Sequence, residues 1–141
     1  NWLEGFSRAT DFPLTCQYIS GRAVCIDAHS HINDALVRGG VVVVRLFYEV
    51  EHYALLTGVS KEHIYLFDPY YLAEAEQEFV RAGIEVTCDH PHSYNRVVPF
   101  ACFNREAREL YAFGAMESRE AVLLFDARTR RTADDTIEYF I

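Results

Sequence analysis

Two residues in this chain stand where acid–base chemistry could be done. His52 leads the hydrophobic stretch Glu51-His52-Tyr53-Ala54-Leu55-Leu56-Thr57-Gly58, and Asp68 ends the next one, Ile64-Tyr65-Leu66-Phe67-Asp68-Pro69. A carboxylate that accepts a hydrogen bond from an imidazole fixes its tautomer. The other ring nitrogen can then take a proton from a nucleophile and return it to a leaving group. A thiol beside such an imidazole becomes a thiolate. Singly, each residue has a plainer reading. A histidine at a strand end is ordinarily a surface residue, and Asp-Pro after a strand is ordinarily a turn. The spacing is what joins them. If 53–59 and 63–67 are antiparallel neighbours linked by a turn at 60–62, the start of one strand meets the end of the next.

The elements that must position this pair can be read outward from it. The stretch 41–48 is rich in β-branched and aromatic residues, with no polar alternation before Arg45, and predicts a strand buried on both faces. Upstream, the pattern predicts strands at 14–19 and 23–26 around a tight turn at 20–22. Asp27 then caps a helix over 29–38 that Gly39-Gly40 ends, with Ile32, Ala35 and Leu36 on its apolar face. Trp2, Leu3 and Phe6 predict a short helix or packed arm before Pro13. Downstream come a helix over 72–82 ended by Gly83, a strand at 84–88, and a polar loop at 89–94. A strand at 97–103 broken by Pro99 follows, then a helix from Asn104 to about 111 and a strand at 121–125. This order is α+β, an antiparallel sheet meander flanked by helices, and not the alternating βαβ of a doubly wound sheet.

The 141 residues suit one domain, and a composition half hydrophobic and 14% aromatic supplies an ample core. A formal net charge of -8 makes nucleic acid a poor partner. Lys61 is the only lysine; the other cations are arginines, the better formers of partly buried pairs. The longest uncharged apolar run, 41–44, falls far short of the ~20 residues of a membrane span. No signal peptide is visible, and the sequence leaves the compartment open, with a soluble, cytoplasmic setting slightly favoured. Cys16, Cys25, Cys88 and Cys102 match neither a zinc CxxC pattern nor a dense disulfide scaffold, and read as reduced cysteines packed as small hydrophobes. No cofactor is expected.

Other clusters invite rival readings. Asp27-Ala28-His29-Ser30-His31 has the D-x-H-x-H form that opens amidohydrolase metal sites, but the (β/α)₈ barrel those sites need exceeds 141 residues. Cys88-Asp89-His90-Pro91-His92 could join His29 and His31 around zinc if the loops converge; the plainer reading is a polar loop stiffened by Pro91. Tyr70, Tyr71, Tyr94, Tyr111 and Phe113 could line a groove for a peptide or acyl chain, although aromatics in such a domain are more often core. Arg128, Arg130 and Arg131 read as a solvated turn.

The segment 34–71 resembles the C39-like peptidase family. It runs helix, glycine, buried strand (GGVVVVRLFYEV), histidine-led strand (HYALLTGV), hairpin, and strand with Asp-Pro (HIYLFDPYY). The resemblance implies a papain-like fold in which a helix carrying a cysteine packs against an antiparallel sheet. It implies a thiol peptidase or acyl-transfer activity on a peptide, amide or thioester, with His52 as general base and Asp68 as its orienter. The family's cysteine opens a helix well upstream of the histidine, usually after a glutamine. Cys16 lies in a predicted strand and turn; Cys25, just ahead of the Asp27-capped helix, is the better placed candidate. The expectation is therefore that 1–141 is the later part of such a domain, with the nucleophile supplied from an upstream segment or companion chain, or else by Cys25. Two alternatives stay open: a catalytically inactive binding or regulatory domain, and a metal-binding hydrolase using the histidine and cysteine clusters.

Overall fold

Consecutive β-branched residues resist helical packing and favour a pleated surface buried on both sides. The run of four valines at 41–44 behaves accordingly and lies in the middle of a sheet. The structure, a computed structural model, describes residues 13–126 together with Gly5 and Ala9. The strands are β1 (Leu14–Ser20), β2 (Val41–Tyr48), β3 (Val50–Val59), β4 (His63–Phe67), β5 (Glu85–Val86), β6 (Arg96–Pro99) and β7 (Glu120–Asp126). Among the described residues they form one 7-stranded sheet, in the order β1-β7-β2-β3-β4-β6-β5, with every pairing antiparallel. The helices are short: α1 (His31–Val37), α2 (Gln77–Arg81) and α3 (Phe100–Phe103). The chain is thus α+β, with the expected antiparallel meander at β2-β3-β4. Among the described residues no helix is long and apolar enough to cross a membrane.

Register decides what faces the core. Val42 pairs with Leu56, Val44 with Ala54 and Leu46 with His52, and Leu56 also pairs with Leu66. Because side chains alternate along a strand, His52 and Asp68 belong to the same face as these buried residues. Helix α1 packs over that face. Its Ile32, Ala35 and Leu36 join Val42, Val44, Leu46, Ala54, Leu56, Ile64 and Leu66 in one core, as the apolar spacing of the helix predicts.

Several elements differ from the sequence reading, and side chains bonding to backbone explain most of the differences. The expected strand at 23–26 does not form. A 3-10 turn at Gly21–Ala23 leads into a segment whose backbone is held by side chains from far along the chain. Asn104 Oδ1 accepts from the Ile26 N–H at 2.9 Å, and Asn104 Nδ2 donates to the Ile26 carbonyl at 2.8 Å. Asn104 therefore does not cap a helix over 104–111, where none exists; it ends α3 instead. Helix α1 starts at His31 because Ser30, not Asp27, is its cap: Ser30 Oγ accepts from Asn33 N at 3.2 Å. Asp27 instead accepts from His29 N at 2.8 Å in an Asx turn. Gly39, at φ 84, ends α1, as expected.

The second meander strand begins at Val50 rather than at 53, since Glu49 alone makes the turn. The helix expected over 72–82 is confined to Gln77–Arg81, where Phe79 is the one buried side chain. The strand at 84–88 shrinks to Glu85–Val86. Pro99 ends β6 and caps α3, so 100–103 is helical rather than extended. The arm at 1–12 and the basic cluster Arg128, Arg130 and Arg131 lie outside the described residues, Gly5 and Ala9 apart.

Removing the Asn104 carboxamide strands two buried backbone groups. Asn104→Ala is expected to lower the unfolding free energy by about 2–3 kcal/mol in urea titration. A loss below about 0.5 kcal/mol would mean that burial of Val24 and Ile26 alone holds the segment.

Candidate functional site

The site grows from the tight β2–β3 hairpin. Glu49 turns the chain at φ 52, a left-handed conformation that a glutamate adopts only under constraint. The turn lets Tyr48 pair with Val50 and sets His52 opposite Leu46, on the core face at the open end of the sheet. Strand β4 returns beside β3, and Asp68 follows its last residue, Phe67. The His52 Nε2 and Asp68 Oδ2 atoms are 3.6 Å apart, with 29% of the histidine side chain exposed but 5% of the aspartate's. The meander thus brings together the two residues that the sequence singles out. At 3.6 Å the contact is electrostatic and longer than a hydrogen bond.

Asp68 is fixed from every side. Its N–H donates to Asn95 Oδ1 at 2.8 Å and its carbonyl accepts from Asn95 Nδ2 at 2.8 Å. Its Oδ1 accepts from the Tyr70 N–H at 2.9 Å, and its Oδ2 accepts from the Tyr111 hydroxyl at 2.8 Å. The next residue along β6, Arg96, is 1% exposed. It donates to the Tyr70 carbonyl at 2.7 Å and to the Asn95 carbonyl at 2.8 Å. This guanidinium tethers the turn after Asp68 to strand β6.

Burial by itself would push the Asp68 carboxyl up. The His52 imidazole, the Tyr70 N–H and the Tyr111 hydroxyl overcome that and hold it below the ordinary carboxylate range. Burial pushes the Tyr111 phenol strongly up, and the neighbouring Asp68 charge adds to the effect, so the phenol keeps its proton.

The pair opens on a pocket of about 430 Å³. Tyr48, Tyr70, Phe79 and Tyr111 give it aromatic walls, and Glu49, Glu76 and Glu78 give it an acidic rim. Among the described residues no lysine or arginine lines it. Tyr48 donates to Glu78 Oε2 at 2.8 Å, which ties the hairpin to α2 across the pocket. Of the five aromatics expected at a groove, Tyr70 and Tyr111 are there. Tyr94 stacks on His90 at 4.4 Å, Phe113 packs on Phe103, and Tyr71 is exposed.

Cys25 is not among the residues lining the pocket. Its thiol lies 3.6 Å from Asp27 Oδ2. Burial pushes that thiol up, and the Asp27 carboxylate pushes it further, against a smaller opposing pull from Arg119. This is the reverse of the electropositive setting that makes a reactive thiolate. His29, His31, Cys88, His90 and His92 do not converge: among the described residues no group of three or more metal-ligating side chains could hold an ion.

Compared with family models, with curated proteins and with solved structures, the chain has no match.

Two measurements check this description. A carboxylate held below its ordinary 3.8 stabilises the fold fully above that pH and loses the contribution as acid titrates the folded carboxyl. Wild type should therefore lose stability more steeply below pH 3.8 than Asp68→Asn; parallel acid-unfolding curves would show that Asp68 is not held ionised. For the thiols, iodoacetamide at neutral pH should modify exposed Cys88 before Cys25, and Asp27→Asn should speed Cys25, both read by peptide mass. Fast modification of Cys25 in wild type would contradict its electrostatic setting.

Proposed function

We propose that this chain carries the base half of a papain-like thiol hydrolase or acyl-transfer site, in which His52 moves the proton and Asp68 orients it. The observation that carries the reading is the His52 Nε2 to Asp68 Oδ2 approach of 3.6 Å on the wall of the pocket. Such contacts tighten when substrate excludes water. With Nε2 turned to the carboxylate, Nδ1 is the nitrogen free to serve a nucleophile. A thiol gives its proton to Nδ1 and its sulfur attacks an acyl carbon. The C–N or C–S bond breaks, and the imidazolium returns the proton to the leaving amine or thiol. The substrate class is a peptide, amide or thioester. Among the described residues four carboxylates, Glu49, Asp68, Glu76 and Glu78, line the pocket with no lysine or arginine, which disfavours an anionic group beside the reacting bond.

The thiol comes from a companion chain or further segment, or from Cys25 if the loop carrying it is brought to the pocket. A second reading has its own support. Among the described residues no cysteine, serine or threonine lines the pocket, as in a domain that binds a peptide or acyl group without cleaving it.

Both readings meet in one assay. A base without its own nucleophile can serve a small thiol supplied from solution. The protein is mixed with an acyl thioester and N-acetylcysteamine, and thiol exchange is followed by mass. Exchange faster than in buffer, falling by about 10²-fold or more in His52→Ala, supports the catalytic reading. Thioester binding with no faster exchange gives the site to the binding reading.

A further inference from the structure

Asp68 Oδ2 faces two donors. The Tyr111 hydroxyl reaches it at 2.8 Å, while His52 Nε2 stands off at 3.6 Å. The phenol is the closer partner of an oxygen that the histidine needs. Nothing in the local sequence announces this. Tyr111 lies 43 positions beyond Asp68, in a turn between α3 and β7.

Its placement is enforced. Tyr111 sits at φ 59, a left-handed conformation costly for a bulky residue and kept only where surrounding bonds impose it. Those bonds are present on its C-terminal side. The Ala112 carbonyl accepts from Phe47 N at 2.9 Å, Ala112 N donates to Glu109 O at 3.0 Å, and Phe113 N donates to Phe103 O at 2.8 Å. The first of these ties the turn to β2, next to the strand that carries His52. The ring is 2% exposed, meets Phe79 edge-on at 6.1 Å and lies edge-on to His52 at 6.4 Å. The other phenol of the pocket with a described partner, Tyr48, is engaged by Glu78, so Tyr111 is the one phenol on Asp68 among the described contacts.

We propose that Tyr111 is a positioning residue for the His52–Asp68 pair: its buried hydroxyl holds Asp68 Oδ2 and sets how strongly that carboxylate engages the imidazole. With Oδ1 taken by the Tyr70 N–H and Oδ2 by Tyr111, the carboxylate cannot rotate away when the pocket is empty. The hydroxyl also takes up part of the charge that would otherwise draw His52 in. The inference rests on the reading of His52 and Asp68 as a working pair, but its test needs no turnover. Among the described residues the other charged groups on the pocket are Glu49 from the hairpin and Glu76 and Glu78 from the start of α2, while Arg96 lies beside the phenol. All of them are kept in the variant below.

Tyr111→Phe preserves the ring and removes the hydroxyl. Carbon-13 NMR of the Asp68 carboxyl should show its titration midpoint rise by about one unit in Tyr111→Phe, since a hydrogen bond to the charged form has been lost. The His52 Nε2 proton should move downfield as the imidazole takes over Oδ2. An unmoved Asp68 midpoint would make Tyr111 a packing residue only and overturn the proposal. If the thioester assay shows no His52-dependent exchange while the midpoint moves, the functional reading fails and the coupling stands. Should Tyr111→Phe not fold, wild type decides. A Tyr111 hydroxyl proton should exchange with water more slowly than those of exposed Tyr70 and Tyr71, and equal exchange would overturn the proposal.

Discussion

A carboxylate at 4% exposure is a liability unless hydrogen bonds replace the water it has lost, and the end of β4 is organised around meeting that demand for Asp68. One amide proton and one phenol satisfy its oxygens, while the carboxamide of Asn95 clamps its backbone on both sides. Each partner comes from a different part of the chain: the turn after β4, the residue before β6, and the turn before β7. Meeting the carboxylate's needs therefore fixes how those three segments sit against the meander, and the pocket is the space left between them. Arg96 extends the arrangement, because its guanidinium holds the carbonyls of Tyr70 and Asn95, the two residues whose other groups hold Asp68.

The two arginines buried among the described residues give a physical meaning to a chain so poor in lysine. Arg96 and Arg119 are 1% and 3% exposed; Nη1 and Nη2 of Arg96 and all three nitrogens of Arg119 donate to backbone carbonyls rather than to carboxylates, and Arg96 Nε has no partner among the described residues. Arg119 donates to Gly114, Val24 and Asn104, joining three loops that have no strand to pair with. A planar fork with five donors can do this; an ammonium on a flexible stem holds such a geometry less well.

What could be read from sequence was whatever obeys a period. The meander was legible because 41–48, 53–59 and 63–67 are short apolar runs parted by obvious turns, and with it came the meeting of His52 and Asp68. Ile32, Ala35 and Leu36 were legible as a helix face for the same reason. The misses at 23–26 and 104–111 share a different cause. There the backbone bonds of Ile26 and Val24 go to the side chains of Asn104 and Arg119, and no local pattern encodes a partner 78 or 95 positions away. Tyr111 was visible as an aromatic but not as a ligand of Asp68, because its role depends on a left-handed turn. Glu76 and Glu78 carry no motif of their own in the sequence, and it is the short α2 that sets them on the pocket rim.

The sheet order has a consequence for how the protein is made. Strand β7, among the last described residues, lies between β1 and β2, so Leu14 pairs with Asp126 and Val42 with Leu123. A ribosome delivers β1 and β2 long before the strand that must part them. Until 120–126 emerges, β1 has no neighbour in this sheet, while β2, β3 and β4 can already zip through local hairpins. The nascent chain thus passes through a stage in which the hairpins bearing His52 and Asp68 exist beside a bare edge made of Val41, Val42, Val43 and Val44. Unpaired, uncharged and β-branched, that edge is the stretch on which two unfinished copies would pair with each other. The strand at 120–126 is the one that hides it.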